Sequence, residues 1–295
     1  VNGRRLRRDE KLFVAAILLP AVVHFALFTA LPVLFSLVLS FTQWNVLDTP
    51  RWKALDNYAR LARDPVFWVA LRNTILFTLY YVPPMLAASL ALALFVNRQT
   101  RAASVFKTAY FIPVVTSFVV LAIIFRWVFS ADPVSPANVA VTTLGIAPQS
   151  WLQDRNQALP LLAFLGIVKG VAWNMVYFLA GLHAIPDTFY EAARIDGAGR
   201  WKVFRNVTLP LLRPTVFFVT VLTTIGAFQV FDSAYLLTQG GPARATTTIV
   251  YFIYQKGFED FEMGYASASA YVLLALVLAV TWLQKRWLGK PADWY

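Results

Sequence analysis

The sequence predicts an all-α integral membrane protein with six transmembrane helices. Hydrophobic residues fill 59 % of the 295 positions and charged residues only 14 %, against roughly 25 % charged in an average soluble domain. The mean hydropathy is +0.59. The apolar residues gather into six stretches, each long enough to cross a hydrocarbon core, which takes about 20 residues. A net charge of +11 would suggest nucleic acid in a soluble chain. Here the basic residues stand at the ends of apolar runs, so they are read as orienting the chain in a membrane, and no nucleic-acid partner is expected. With no cysteine and two histidines, disulfides, thiolate metal sites and a histidine-rich metal site are excluded.

The first span is expected from about Leu12 to Phe41, with Pro20 and Pro32 inside it. It is roughly twice the length of a signal-peptide core and lacks a small-residue cleavage site, so it does not read as a cleaved leader. The second covers about Thr74–Val96 and contains Pro83-Pro84; the third, Thr108–Phe129, has Pro113 in its first turns. The fourth, fifth and sixth are expected at about Ala158–Ala184, Leu211–Leu237 and Tyr265–Leu283. His24, in the first span, is read as a hydrogen-bonded packing residue, with a proton relay as the alternative. Between the first two spans, Thr42–Asn73 carries Leu55, Tyr58, Phe67, Trp68 and Leu71 at helical spacing, which predicts a short helix on the membrane surface.

Six spans put both termini on one side, and the Lys/Arg bias says which. That side holds Arg4, Arg5, Arg7, Arg8 and Lys11, then Arg98, Arg101 and Lys107, then Arg194, Arg200, Lys202, Arg205 and Arg213, then Lys285, Arg286 and Lys290. The opposite side has half as many, so both termini are expected in the cytoplasm. The expected organisation is a cytoplasmic N-terminus at 1–11, a six-span domain at 12–287 with a cytoplasmic loop at 185–210, and a cytoplasmic tail at 288–295.

That loop is the most specific feature. It reads Glu191-Ala192-Ala193-Arg194-Ile195-Asp196-Gly197, then nine residues, then Val207-Thr208-Leu209-Pro210. Thr188 and Glu191 fit a capping box. Ala192 and Ala193 keep the helix thin for a close partner, Gly197 permits the left-handed turn that ends it, and Pro210 hands the chain to the fifth span. Taken alone, such a loop could be a solvated connection. The whole pattern resembles the signature loop of permease subunits of binding-protein-dependent ABC importers, with Val207 where the family usually has Ile. Phe178-Leu179-Ala180-Gly181-Leu182 before Ile185-Pro186, and Leu237-Thr238-Gln239-Gly240-Gly241-Pro242 before Thr246-Thr247-Thr248, resemble the sugar branch of that family, which includes the maltose and glycerol-3-phosphate importer subunits.

The resemblance implies the type I ABC importer permease fold in the cell inner membrane. It implies a second permease as heterodimer partner, two ATPase subunits, a periplasmic or lipid-anchored solute-binding protein and a carbohydrate substrate. Glu191, Ala192, Ala193, Asp196, Gly197, Leu209 and Pro210 would then form the ATPase-coupling loop. The sequence agrees on one point: it has no Gly-x-x-x-x-Gly-Lys phosphate loop, since Gly289-Lys290 has Gln284 where the first glycine belongs. The chain is therefore expected to be no enzyme and to bind no cofactor, with ATP and Mg held by partner ATPases.

Polar residues inside spans are costly and mark pathways. Gly166, Lys169, Gly170 and Trp173 share one helical face, beside Asn174. Thr223, Gly226, Ala227 and Val230 form a second face, with Gln229 and Asp232 near its outer end. Counted from the signature loop, both sets match positions that line the sugar pocket in the maltose importer permease. The alternative is close helix packing by the small residues, with Lys169 snorkelling or paired; Asp232 is a candidate partner for Lys169 or Arg126. Arg72, Asn73 and Arg126 are expected as interface anchors, and Glu259, Asp260 and Glu262 as solvated charges. Glycerol-3-phosphate or another polar solute is the alternative cargo. A self-contained secondary transporter is the alternative class, against which stands the lack of a coupling array of carboxylates or of an inverted repeat.

Overall fold

The computed structural model describes residues 8–97 and 109–288. The chain divides into two compact units, one of residues up to Arg63 with Ile253–Tyr271, the other of Asp64–Phe252 with Val272 onward.

In the first unit, helix α1 runs through Arg8–Phe25, widens to a π turn at Ala26–Ala30 and continues as Leu31–Ser40. Pro32 has no N–H to offer Phe28, and the turn that contains that carbonyl is the one that widens. Ile17, Leu18, Val22, Leu34 and their neighbours are exposed. An apolar exterior is the expected surface of a helix in lipid. A two-residue hairpin follows, β1 (Thr42–Gln43) antiparallel to β2 (Arg51–Trp52), and then α2, Asp56–Arg63. The Asn57 amide donates to Ser40 O and Thr42 O, both at 2.8 Å, and ties α2 to the end of α1. Arg60 makes a two-point bond to Glu262 at 2.8 and 2.9 Å and lies 4.1 Å above the Tyr265 ring. Lys256 holds Asp260 at 2.7 Å. Asp260 and Glu262 are thus ion-paired rather than merely solvated.

In the second unit, α3 spans Pro65–Val96. It starts nine residues before the expected Thr74, because Asp64 accepts from the Val66 and Phe67 amides and Pro65 stands at the first helical position. Phe67 and Trp68 belong to this long helix and not to a separate surface helix. Next come α4 (Ala109–Val115) and α5 (Phe118–Val128), which meet at 111°, then α6 (Pro136–Thr143) and α7 (Ala158–His183). The third expected span is therefore broken at Thr116-Ser117. Helix α8 (Asp187–Ile195) leads to α9 (Arg200–Leu211), which bends by 66° into α10 (Arg213–Phe228). Helix α11 (Ile249–Tyr254) and α12 (Met263–Leu288), each with residues in both units, are the last described helices.

Among the described residues four helices are long and apolar enough to cross a membrane, and six spans result if each bent pair counts as one. Helices α3 and α7 pack along their lengths, with α10 against both. Met175, Phe178, Leu212, Val219 and Ala93 form the buried cluster among them. At Gly181 of α7, a Cβ would land on the Thr215 side chain of α10, so the close approach of these helices requires glycine there. Asn73 is buried and donates to Arg244 O at 2.8 Å and Thr247 O at 3.1 Å. It holds the loop after α10 rather than serving as an interface anchor.

Candidate functional site: a cavity at two interrupted helices

Helix α10 ends sooner than the sequence predicts. Its last residue is Phe228, Gln229 caps it, and the chain is non-helical until Asp232, ahead of a π turn at Ala234–Thr238. The expected fifth span to Leu237 is therefore interrupted. Gln229, Val230, Phe231, Asp232 and Ser233 line a cavity of about 270 Å³. Phe118, the first residue of α5 after the other break, lines it too, as do Gly166, Lys169 and Gly170 of α7, Gly226 of α10, and Phe77 and Tyr81 of α3. Interrupted helices with irregular backbone beside a cavity are how membrane transporters build solute sites, since unwound backbone is tolerated only where something other than lipid meets it.

Seven of the predicted pathway residues converge here: Gly166, Lys169, Gly170, Gly226, Gln229, Val230 and Asp232. Four others do not line the cavity. Trp173 is 56 % exposed. Asn174 donates its amide to Thr223 Oγ1 at 2.9 Å, which joins α7 to α10. Ala227 is buried. The two α7 glycines let α3 lie against α7. A Cβ on Gly166 would stand 2.9 Å from the Tyr81 ring, and one on Gly170 would stand 2.8 Å from Met85 Cε. Gly226 has open space around it.

Lys169 does not pair with Asp232. Its Nζ donates to three backbone carbonyls, Pro113 O and Val114 O at 2.8 Å and Thr116 O at 2.5 Å. These belong to the end of α4 and the break after it, where carbonyls lose their helical partners and the helix dipole favours a cation. A neutral amide could not supply three donors at one point. Asp232 is exposed and pairs with no cation among the described residues.

Sequence reasoning missed Phe77, Tyr81, Phe118, Phe231 and Ser233. Phe77 and Tyr81 were visible as an i, i+4 aromatic pair, stacked in the structure at 5.4 Å and 17°, but nothing local says which face of the helix meets a cavity. Ser233 is 3 % exposed and its hydroxyl has no hydrogen-bond partner among the described residues.

The signature loop forms a separate feature of the same unit. Helix α8 buries none of its side chains. Glu191, Ala192, Asp196, Gly197 and Leu209 are exposed, Ala193 and Pro210 half-buried. Ile195 is 85 % exposed and Trp201 69 %. No side chain caps the start of α8, which begins at Asp187 after Pro186, so the capping box expected from Thr188 and Glu191 is not formed. The end follows expectation: Gly197 has φ +69°, and Gly197 N and Ala198 N donate to Arg194 O at 3.0 Å and Ala193 O at 2.9 Å. Beside α8, Tyr190, Arg194, Arg200, Trp201 and Phe204 surround a cavity of about 810 Å³.

Apolar-surfaced helices long enough to cross a membrane, a cavity at two helix breaks and an exposed helical loop together fit a multi-pass membrane permease. The family described as binding-protein-dependent transport system inner membrane component matches residues 85–287, and the chain belongs to it. It is 36 % identical over 264 residues to the arabinooligosaccharides transport system permease protein of Bacillus subtilis, covering 89 % of this chain and 84 % of that one. It is 37 % identical over 279 residues to the lactose transport system permease protein of Rhizobium radiobacter, covering 92 % and 91 %. A chain of a bacterial alginate ABC transporter, solved in complex with an alginate pentasaccharide-bound periplasmic protein, superposes with a TM-score of 0.83 over 96 % of both chains at 22 % identity, a likeness of fold. The fold is that of the type I ABC importer permeases.

Proposed function

We propose that this chain is the permease subunit through which an ATP-driven importer takes up a carbohydrate by alternating access. The observation that carries the reading is the cavity at the two helix breaks, lined by seven of the residues expected on the solute path. The names of the relatives, which refer to arabinooligosaccharides and lactose, support a sugar as cargo. A second permease completes the pathway, two ATPase subunits hold ATP and Mg, and a solute-binding protein delivers the sugar from outside; this chain catalyses nothing itself. Both termini lie in the cytoplasm of a cell whose inner membrane the chain spans.

Coupling runs through α8. An amphipathic helix with Phe189 and Ile195 exposed needs a partner surface in water, and an ATPase cleft supplies one. When the ATPases close, α8 moves as a rigid piece, and α9, continuous with it through Gly197–Gly199, transmits the motion to α10 and the cavity. The test is purification of the tagged chain from its own membranes in mild detergent, followed by reconstitution in liposomes. An ATPase and a second six-span permease are expected to co-purify, and uptake is expected to require ATP and the binding protein. Uptake by the chain alone without ATP would overturn the proposal.

A further inference from the structure

We propose that the cavity selects uncharged, hydroxyl-rich solutes against anionic ones, with Asp232 as the specificity-determining group and Lys169 withheld from the solute. This rests on the reading of the cavity as the solute path. Two charged side chains line it, one of each sign. The cation is already engaged: an ammonium has three N–H donors, and three carbonyls take them. To grip a phosphate or a carboxylate, Lys169 must release a carbonyl at the helix break and leave that acceptor in need of another partner. Lys169 is a positioning residue that shapes the wall.

The anion is free. Asp232 is exposed at the cavity and pairs with no cation among the described residues. A carboxylate only accepts, so it takes protons from hydroxyls and repels a second anion. Its neighbour Ser233 lines the cavity, and its buried hydroxyl lacks a partner among the described residues. A buried polar group left open in this way is uncommon, and beside a cavity a ligand atom is a partner that would satisfy it. Gln229 adds a donor and an acceptor, and the rings of Phe77, Phe118 and Phe231 offer apolar faces for the C–H faces of a sugar ring. Together these groups match a neutral polyol. They leave a polyol phosphate or a uronate facing a carboxylate with no free cation among the described residues that line the cavity.

The absence of cysteine from the chain gives a test that needs no knowledge of the natural sugar. Gly226 lines the cavity with open space at its Cβ, so Gly226→Cys places a thiol inside, and Ala140→Cys on exposed α6 serves as the reference. The assembled importer in nanodiscs is treated with a neutral (2-hydroxyethyl) or an anionic (2-sulfonatoethyl) methanethiosulfonate, and modification of this chain is followed by mass spectrometry. The anionic reagent is expected to lose about tenfold in rate relative to the neutral one, after normalisation to Ala140→Cys, as one like charge at close range predicts. Adding Asp232→Asn is expected to abolish that difference. Equal or faster reaction of the anionic reagent would overturn the charge selection while leaving the pathway reading standing. Failure of the neutral reagent to reach Gly226→Cys at all, with or without ATP, would remove both.

Discussion

The Lys169 ammonium donates to the Thr116 carbonyl at 2.5 Å, across 53 residues of sequence. With Pro113 O and Val114 O it closes the end of α4, so a charge in the fourth span holds the break in the third. Lys169→Met removes all three bonds and leaves the carbonyls unpaired, a loss on the order of 2–5 kcal/mol for a charged donor inside a protein. Hydrogen exchange of the amides in 109–128 is expected to rise sharply while that of α12 stays as it was, and Lys169→Arg is expected to retain part of the protection. Unchanged exchange in Lys169→Met would show that the break stands without the ammonium.

Ser233→Ala separates stability from transport. Because the hydroxyl has no partner among the described residues, its removal is expected to cost the fold nothing and to stabilise it by up to about 1 kcal/mol. If the hydroxyl serves the solute, the KM of uptake rises about fivefold, the loss of one neutral hydrogen bond. Thermal unfolding of the purified chain and uptake kinetics of the assembled importer measure the two. A lower melting temperature with an unaltered KM would assign Ser233 to the fold alone.

Gly181→Ala is expected to destabilise by about 1–3 kcal/mol, since the new methyl must push Thr215 and with it α10. Thr215→Ala should recover part of the loss, because it removes two of the three atoms in the way. Additive effects of the two substitutions would mean that α7 and α10 do not meet at these residues.

Gly197→Pro and Glu191→Lys test the coupling loop. Gly197 sits at φ +69°, which proline cannot adopt, whereas Gly197→Ala meets no neighbouring atom and costs only about 1–2 kcal/mol for a left-handed backbone. All three chains should insert normally. Solute-stimulated ATPase activity of the reconstituted complex is expected to fall severalfold in Gly197→Pro and Glu191→Lys and slightly in Gly197→Ala, in line with the backbone preference alone. Full stimulation in the first two would free this loop of its coupling role.

Much of the architecture was legible in local pattern. Hydropathy located four spans as continuous helices and two more as bent helix pairs, because a lipid-crossing helix must be apolar along its length, a property of consecutive residues. The i, i+3, i+4 spacing of Gly166, Lys169 and Gly170 put them on one face, and the structure finds that face at the cavity. The glycine after Asp196 marked the end of α8 because φ there is positive. Asp64-Pro65 marked the true start of α3, yet the aromatic residues beyond them read equally well as a surface helix.

What the sequence by itself determined is therefore the position of the apolar stretches, the composition of each helix face and the position of the signature loop. The tertiary structure alone decided what each polar residue does. Lys169 and Asp232 look like natural partners in one dimension, one cation and one anion in neighbouring spans. In three dimensions the ammonium is claimed by carbonyls 53 to 56 residues earlier, and the carboxylate is left open. The physical reason is that backbone carbonyls occur at every residue and carry no sequence signal, and which of them lose their helical partners depends on where a helix breaks. Only the packing of α4, α5, α7 and α10 sets those breaks.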